Sequence, residues 1–216
     1  VIDVGRGGIN LQGLYQLTRK DLPQAVTCLK NAFRDDPLWR EVFRDDPNRE
    51  QSLTSFYTIP LLYAMRYGGV YAPSPRIEGV AVLLPAKHAG MPTWGMLVSG
   101  ALRHGARLGK GTLNNLAIVS KQLTTDRQRL MSGKAYQYLA GLGVDPDLQG
   151  QGYGSRLMEA ITSNCDVSRL HIYLETETGD NVRFYQKHGL ELLQRVEIPK
   201  FGLPMWQMAY EPKGGH

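Results

Sequence analysis

Three glycines at alternate positions, Gly150, Gly152 and Gly154, stand inside the stretch Val144-Asp-Pro-Asp-Leu-Gln-Gly-Gln-Gly-Tyr-Gly-Ser-Arg156. Glycine has no Cβ to hold a ligand away from the backbone. Just beyond them Leu157, Met158 and Ile161 recur at helical spacing, so the glycines fall where a helix begins. The first N–H groups of a helix have no partner inside it, and the helix dipole places partial positive charge there. An end of that kind, cleared of side chains, suits a phosphate group. Arg156 adds charge at its edge.

Two better-known phosphate motifs do not fit. A dinucleotide fingerprint needs G-x-G-x-x-G, and the position that should hold its last glycine is Ser155. A P-loop needs four residues between its glycines, but only three separate Gly105 from Gly109-Lys110, and Gly111 follows the lysine. Metal chemistry has no support either. Cys28 and Cys165 lie far apart, and the five histidines are scattered.

Elements that position the glycines follow from the hydrophobic pattern. A run over 135–144 reads as a strand, and 150–165 reads as the helix after it. A second strand (170–176) and helix (180–188) follow, then strands over 191–198 and 204–210. Upstream, a short strand at 14–17 leads to a helix over 21–34 with Thr18 as its cap. Further helices are expected at 38–43 and 48–67, the latter containing Pro60. Strands at 69–72 and 78–84 flank Pro73-Ser-Pro-Arg76 as a hairpin. Residues 93–129 turn helical again, interrupted around 109–111. Consecutive strands mixed with strand-helix-strand units predict an α/β (α+β) domain with a mixed sheet and helices on both faces. We expect a single domain over 14–212, preceded by residues 1–13 as a flexible N-terminal arm or non-native remnant.

Gln149-x-x-Gly152-x-Gly154, the preceding Val-Asp-Pro phrase and the downstream Asn181-Val-Arg-Phe-Tyr185-Gln-Lys-His-Gly189 together resemble the GCN5-related N-acetyltransferase (GNAT) superfamily. Leu174-Glu-Thr176, Val196-Glu-Ile-Pro199 and Trp206-Gln-Met208 look most like its puromycin N-acetyltransferase-like branch. The likeness covers about 136–212 and is weaker upstream, where the Ala32-Phe33…Asp36-Pro37 phrase agrees. The resemblance implies a GNAT fold with a mostly antiparallel central sheet, acetyl-coenzyme A as co-substrate, and no metal. It implies that backbone groups of Leu142, Gly143 and Val144 hold the pantetheine arm, with the Val144 N–H polarising the thioester carbonyl. Gln149, Gly150, Gln151, Gly152, Tyr153, Gly154 and Ser155 would hold the pyrophosphate. Asn181 would bond the cofactor arm, and Tyr185, one turn along the same helix face, would protonate the departing thiolate.

An amine must lose its proton to attack, and Glu175 is the candidate base. The period of two on its strand groups it with His171 and Tyr173, and burial would raise its pKa toward the working range. Glu177 is the next candidate. Cys165 has no histidine near it in sequence, so direct attack in a ternary complex is expected rather than an acetyl-cysteine route.

The apolar fraction of 42% and charged fraction of 21% over 216 residues are those of an ordinary globular protein. Two cysteines make no disulfide framework, which suggests a reducing, cytoplasmic location. The net charge of +5 favours anionic partners, and one polyanionic cofactor satisfies it. Arg103, His104, Arg107, Lys110, Lys121, Arg127 and Arg129 read as a solvated helix face. The expected acceptor is a small-molecule primary amine, its pocket drawn from 35–129 and lined by Trp39, Phe43, Phe56, Tyr57, Tyr63 or Trp94. No nucleic-acid or membrane partner is expected, and a homodimer is compatible with the sequence. A protein or peptide amine as acceptor, or a non-catalytic acetyl-coenzyme A sensor, are the alternatives.

Overall fold

A computed structural model describes residues 11–214 of the chain. Its elements run β1 (Tyr15–Gln16), α1 (Leu22–Ala32), α2 (Pro37–Val42), α3 (Arg49–Tyr67), β2 (Gly69–Ala72) and β3 (Gly79–Pro85). Then come α4 (Thr93–Ser99), α5 (Leu102–Gly105), α6 (Lys110–Leu130) and β4 (Tyr136–Val144). The chain continues through α7 (Tyr153–Ser168), β5 (His171–Thr176), α8 (Gly179–Lys187), β6 (Glu191–Ile198) and β7 (Leu203–Tyr210). Among the described residues no helix is long and apolar enough to cross a membrane.

All seven strands join one sheet in the order β1-β2-β3-β4-β5-β7-β6. Every neighbouring pair is antiparallel except β4 and β5. The parallel pair is the one connected through α7, because parallel strands need a crossover. Leu157, Met158, Ile161 and Cys165 of α7, with Val182 and Tyr185 of α8, bury one sheet face. The opposite face, carrying Val80, Val82 and Leu84, is covered by α1, α3 and part of α6. Helices on both faces are therefore observed.

Three differences from the sequence pattern have local causes. The helix expected from 150 begins at Tyr153, because Gly150 and Gly152 have φ of +77° and +86°, outside the helical region. The helical stretch 93–129 breaks into three, since α4 already ends at Gly100 in the left-handed conformation. Residues 1–10 of the expected arm lie outside the described residues, and Leu11 packs in the core at 2% exposure.

Candidate active site

β4 and β5 pair only at Tyr136–His171, Gln137–Ile172 and Tyr138–Tyr173. Beyond that β4 stays with β3 as far as Val144, while β5 stays with β7 as far as Thr176. The sheet opens between them. A register shift at Val82/Leu83 leaves Ala140 without an opposite residue on β3, at the point where the strands part. The β4 edge over 139–144 thus turns backbone groups toward an opening instead of toward a strand. Leu142, Gly143 and Val144 all lie on it.

At the end of that edge a short loop leads into α7. Asp145 fixes the loop: its N–H donates to the Glu78 carbonyl (3.0 Å), and its Oδ1 accepts from the Asp147 N–H (3.1 Å). Gln149 turns its side chain back to donate to the Val144 carbonyl (3.1 Å). The first intrahelical bond runs from the Arg156 N–H to the Gly152 carbonyl (2.9 Å), so the amides of Tyr153, Gly154 and Ser155 have no helical partner. Gln149, Gly150, Gln151 and Gly152 are exposed beside them. Left-handed backbone at both Gly150 and Gly152 explains glycine at these two positions.

The other glycines are set by packing. A Cβ on Gly154 would stand 3.3 Å from the Phe184 ring, so α7 and α8 meet there. A Cβ on Gly143 would lie 2.8 Å from Ala32 and 3.1 Å from Phe33, so this residue is small to admit α1. Close approach to a ligand is not needed to explain it. Gly141, by contrast, has open space where its Cβ would be. Ser155 Oγ lies 3.1 Å from His188 Nε2, and Arg156 donates to the Gly13 carbonyl (2.9 Å), so that guanidinium is tied to the N-terminal segment.

Asn181 is not the cap of α8. Thr178 is, its Oγ1 accepting from the Asn181 N–H at 3.2 Å. The Asn181 side chain is half-buried and makes no hydrogen bond to the described residues. Tyr185, one turn later, is 7% exposed and packs edge-on against Phe184. Burial, and then the charge of Glu177, push its hydroxyl upward, so it keeps its proton at neutral pH.

On the other side of the opening, the Glu175 side chain is 4% exposed and pairs with Arg127 (Nη1 to Oε1, 3.4 Å). Burial drives its carboxyl up. Arg127 opposes this, with smaller pulls from the Tyr138 and Tyr173 hydroxyls, and the group settles at about 7. Arg127 is itself held over the Tyr138 ring (4.3 Å to the centroid) and donates to the Ala89 carbonyl (3.1 Å). Next to it Asp126 accepts from Gln207 (2.8 Å), the residue opposite Glu175 on β7. Two adjacent residues of α6 therefore clamp the helix to the sheet at Glu175.

Arg127 corrects the expectation of a solvated basic face, since it is only 4% exposed. The signal was in the sequence: Val119, Leu123, Arg127 and Met131 follow one another every fourth residue, so the arginine sits in an apolar stripe. Asp36, Glu177 and Tyr138 also border the site and were not singled out as partners of Glu175. Burial, Asp36 and Glu175, in that order, push the half-buried Glu177 well above the carboxylate range. Of the aromatics expected to line an acceptor pocket, Phe43 and Tyr63 are core residues and Trp94 is 73% exposed. Trp39 and Phe56 are half-buried and pack together at 4.6 Å.

Residues 117–191 match the family model described as the acetyltransferase (GNAT) domain, a span running from α6 through the glycine loop, Glu175 and Tyr185 to the start of β6. The chain is 26% identical over 203 residues to an uncharacterized N-acetyltransferase of Schizosaccharomyces pombe, covering 90% of this chain and 81% of that one. Its fold is similar to a structure described as histone acetyltransferase HPA2 and related acetyltransferase, from Corynebacterium glutamicum. That likeness has a TM-score of 0.64 at 17% identity, over 94% of this chain and 97% of the other. It is also similar to the polyamine N-acetyltransferase of Drosophila melanogaster, described as catalysing the formation of N-acetylagmatine. There the TM-score is 0.57 at 18% identity, over 92% and 98% of the two chains. Residues 117–191 are thus those of a GNAT acetyltransferase domain, set in a fold like that of these acetyltransferases.

Proposed function

We propose that this acetyltransferase moves an acetyl group from acetyl-coenzyme A to a primary amine of a small molecule, by direct attack in a ternary complex. One observation carries the reading. The opening between β4 and β5 has unpaired helix amides and left-handed glycines at one end, and a buried carboxyl near neutrality on its far strand. We take 14–212 as one GNAT domain built around that opening.

The residues present fit the cofactor. Exposed loop residues 149–152 and the amides of Tyr153, Gly154 and Ser155 suit a pyrophosphate. The β4 edge at Leu142, Gly143 and Val144 suits an extended amide-bearing arm, and Asn181 offers an uncommitted side-chain amide. Bound there, acetyl-coenzyme A supplies an activated acetyl thioester. The Val144 N–H is assigned to polarise the carbonyl that takes up charge. Glu175, ionised over half its population just above pH 7, accepts the proton of the incoming ammonium directly or through water. Tyr185 donates its hydroxyl proton to the sulfur that leaves.

Direct attack is supported by the cysteines. Cys28 and Cys165 are buried, and burial pushes both thiols up to about 12, so neither offers a thiolate to carry the acetyl group. A small amine as acceptor is in keeping with the agmatine-acetylating structural neighbour.

A thiol-release assay with acetyl-coenzyme A and a panel of primary amines tests the reading. It predicts amine-dependent release with intersecting initial-rate patterns. Coenzyme A binding without release to any amine would contradict it.

A further inference from the structure

We propose that the helical insertion between β3 and β4 docks this protein on an anionic phospholipid surface. The outward side of α4 and Leu102 of α5 enter the headgroup layer, and a rim of lysine and arginine meets its charge. Such docking is independent of acetyl transfer, and it revises the expectation that the chain has no membrane partner.

β3 and β4 are antiparallel neighbours, paired from Gly79–Val144 to Pro85–Gln137. A turn of about two residues is enough to join such a pair. Here residues 86–135 intervene instead, carrying α4, α5 and α6. The end of α6 serves the fold, since Asp126 and Arg127 clamp it to the sheet. The outward surface of α4 and α5 has no such task.

α4 packs on α3 by one side. Gly95 and Ser99, one turn apart, are its buried residues, and a Cβ on Gly95 would stand 2.8 Å from the Tyr63 ring. Trp94, Leu97 and Val98, at i, i+3 and i+4 spacing, share the outward side. Left-handed Gly100 then closes the helix, with the Ala101 N–H donating to the Met96 carbonyl (2.9 Å), and the chain enters α5 at Leu102. These four side chains are 38% to 73% exposed, and they are most of the seven large apolar side chains exposed among the described residues. Apolar exposure gathered at one place marks a contact surface.

Charge indicates what covers it. Residues 79–125 contain Lys87, Arg103, Arg107, Lys110 and Lys121 and no Asp or Glu. Those charges equal the whole net charge of +5, so the rest of the sequence is balanced. Lys87 adjoins His88, whose Nδ1 lies 3.4 Å from the hydroxyl of Tyr63, the residue behind α4. Arg19 reaches the other end of α4 and donates to the Ser99 carbonyl (3.0 Å). Arg103 follows Leu102 directly, and Arg107 is exposed just beyond α5. Two acids come near from other elements. Asp21 is taken by Thr18 and Tyr15, and Asp46 reaches Thr112 (2.8 Å) at the start of α6, which removes Lys110 from the rim. Among the described residues Arg19, Lys87, Arg103 and Arg107 enter no ion pair.

A second copy is a poor cover, because a two-fold interface repeats the same patch and sets these cations against one another. Protein surfaces intersperse both signs, whereas an anionic leaflet presents one. Tryptophan and leucine ringed by lysine and arginine suit the boundary between headgroups and acyl chains.

Flotation of the whole chain with lipid vesicles tests this. Vesicles of phosphatidylcholine with about 30% phosphatidylserine should bind it at least about tenfold more tightly than phosphatidylcholine alone. Replacing both arginines (Arg103→Gln with Arg107→Gln) should weaken binding about tenfold or more, and Leu97→Ser with Val98→Ser about fivefold or more. Melting temperatures should stay near wild type, since all four side chains are exposed. Tryptophan fluorescence should shift to the blue on binding, and Trp94→Phe should remove the shift. No binding to charged vesicles, equal binding to both kinds, or binding indifferent to Leu97→Ser with Val98→Ser would overturn the proposal. A dimer in sedimentation velocity that this same pair of substitutions dissociates would overturn it too, because the apolar side would then belong to a second copy. Vesicle binding requires no turnover, so each of these results leaves the acetyl-transfer reading standing.

Discussion

A carboxyl held near neutrality is useful as a base only if its proton affinity is set by groups that stay put, and at Glu175 two opposed forces do this. Burial alone would keep the carboxyl protonated, and Arg127 brings it back to about 7. The deprotonated form does the work, so turnover should rise with pH through about 7 and then level off. Glu175→Gln should lose that rise and lower kcat by about 10²-fold or more. Arg127→Met removes the downward pull, so the rising limb should move to higher pH while the fold loses about 3–5 kcal/mol. A rising limb that stays in place in Arg127→Met would mean that another group controls it. Tyr185→Phe should lower kcat by about 10²-fold while leaving coenzyme A affinity nearly unchanged, as calorimetry would show. Glu175 and Tyr185 were legible as candidates from the order of strand, helix and motif. The partner of Glu175 was not, because Arg127 lies 48 positions away on another element and only tertiary packing brings the two together.

At the scale of the element, strand and helix periodicity read from the sequence agrees with the structure along almost the whole chain. Where the two part, glycine is responsible: left-handed residues at Gly100, Gly150 and Gly152 end or delay helices that hydrophobic spacing alone would carry through. The divergence of β4 from β5 has no signature in either strand, since each is apolar and regular on its own. It arises from what each pairs with, β3 on one side and β7 on the other. At the glycine loop, Gly152→Ala would force a Cβ into left-handed backbone at about 1–2 kcal/mol, and the loop would turn away from its anion-binding shape. Coenzyme A should bind at least about tenfold more weakly, with only a modest fall in melting temperature. An unchanged affinity would move the pyrophosphate elsewhere.

For the whole molecule, buried carboxyls tie stability to pH. Glu175 titrates higher in the folded chain than in the unfolded one, so the folded state holds the extra proton between about pH 4.5 and 7. Its contribution is full below that window and is lost as pH rises through about 7, by at most about 3 kcal/mol. Urea unfolding at pH 5 and pH 8 should show a larger drop for wild type than for Glu175→Gln. The net charge of +5 was visible in the composition, but not the burial of Arg127 within it. Counting charges says nothing about which of them reach water.

Coenzyme A docking at the start of α7 underlies every role assigned above, and calorimetric titration of the purified protein addresses it directly. One site per chain with affinity in the micromolar range, weakened by Gly152→Ala, is the predicted result. No heat at millimolar coenzyme A, or equal binding by both proteins, would contradict it.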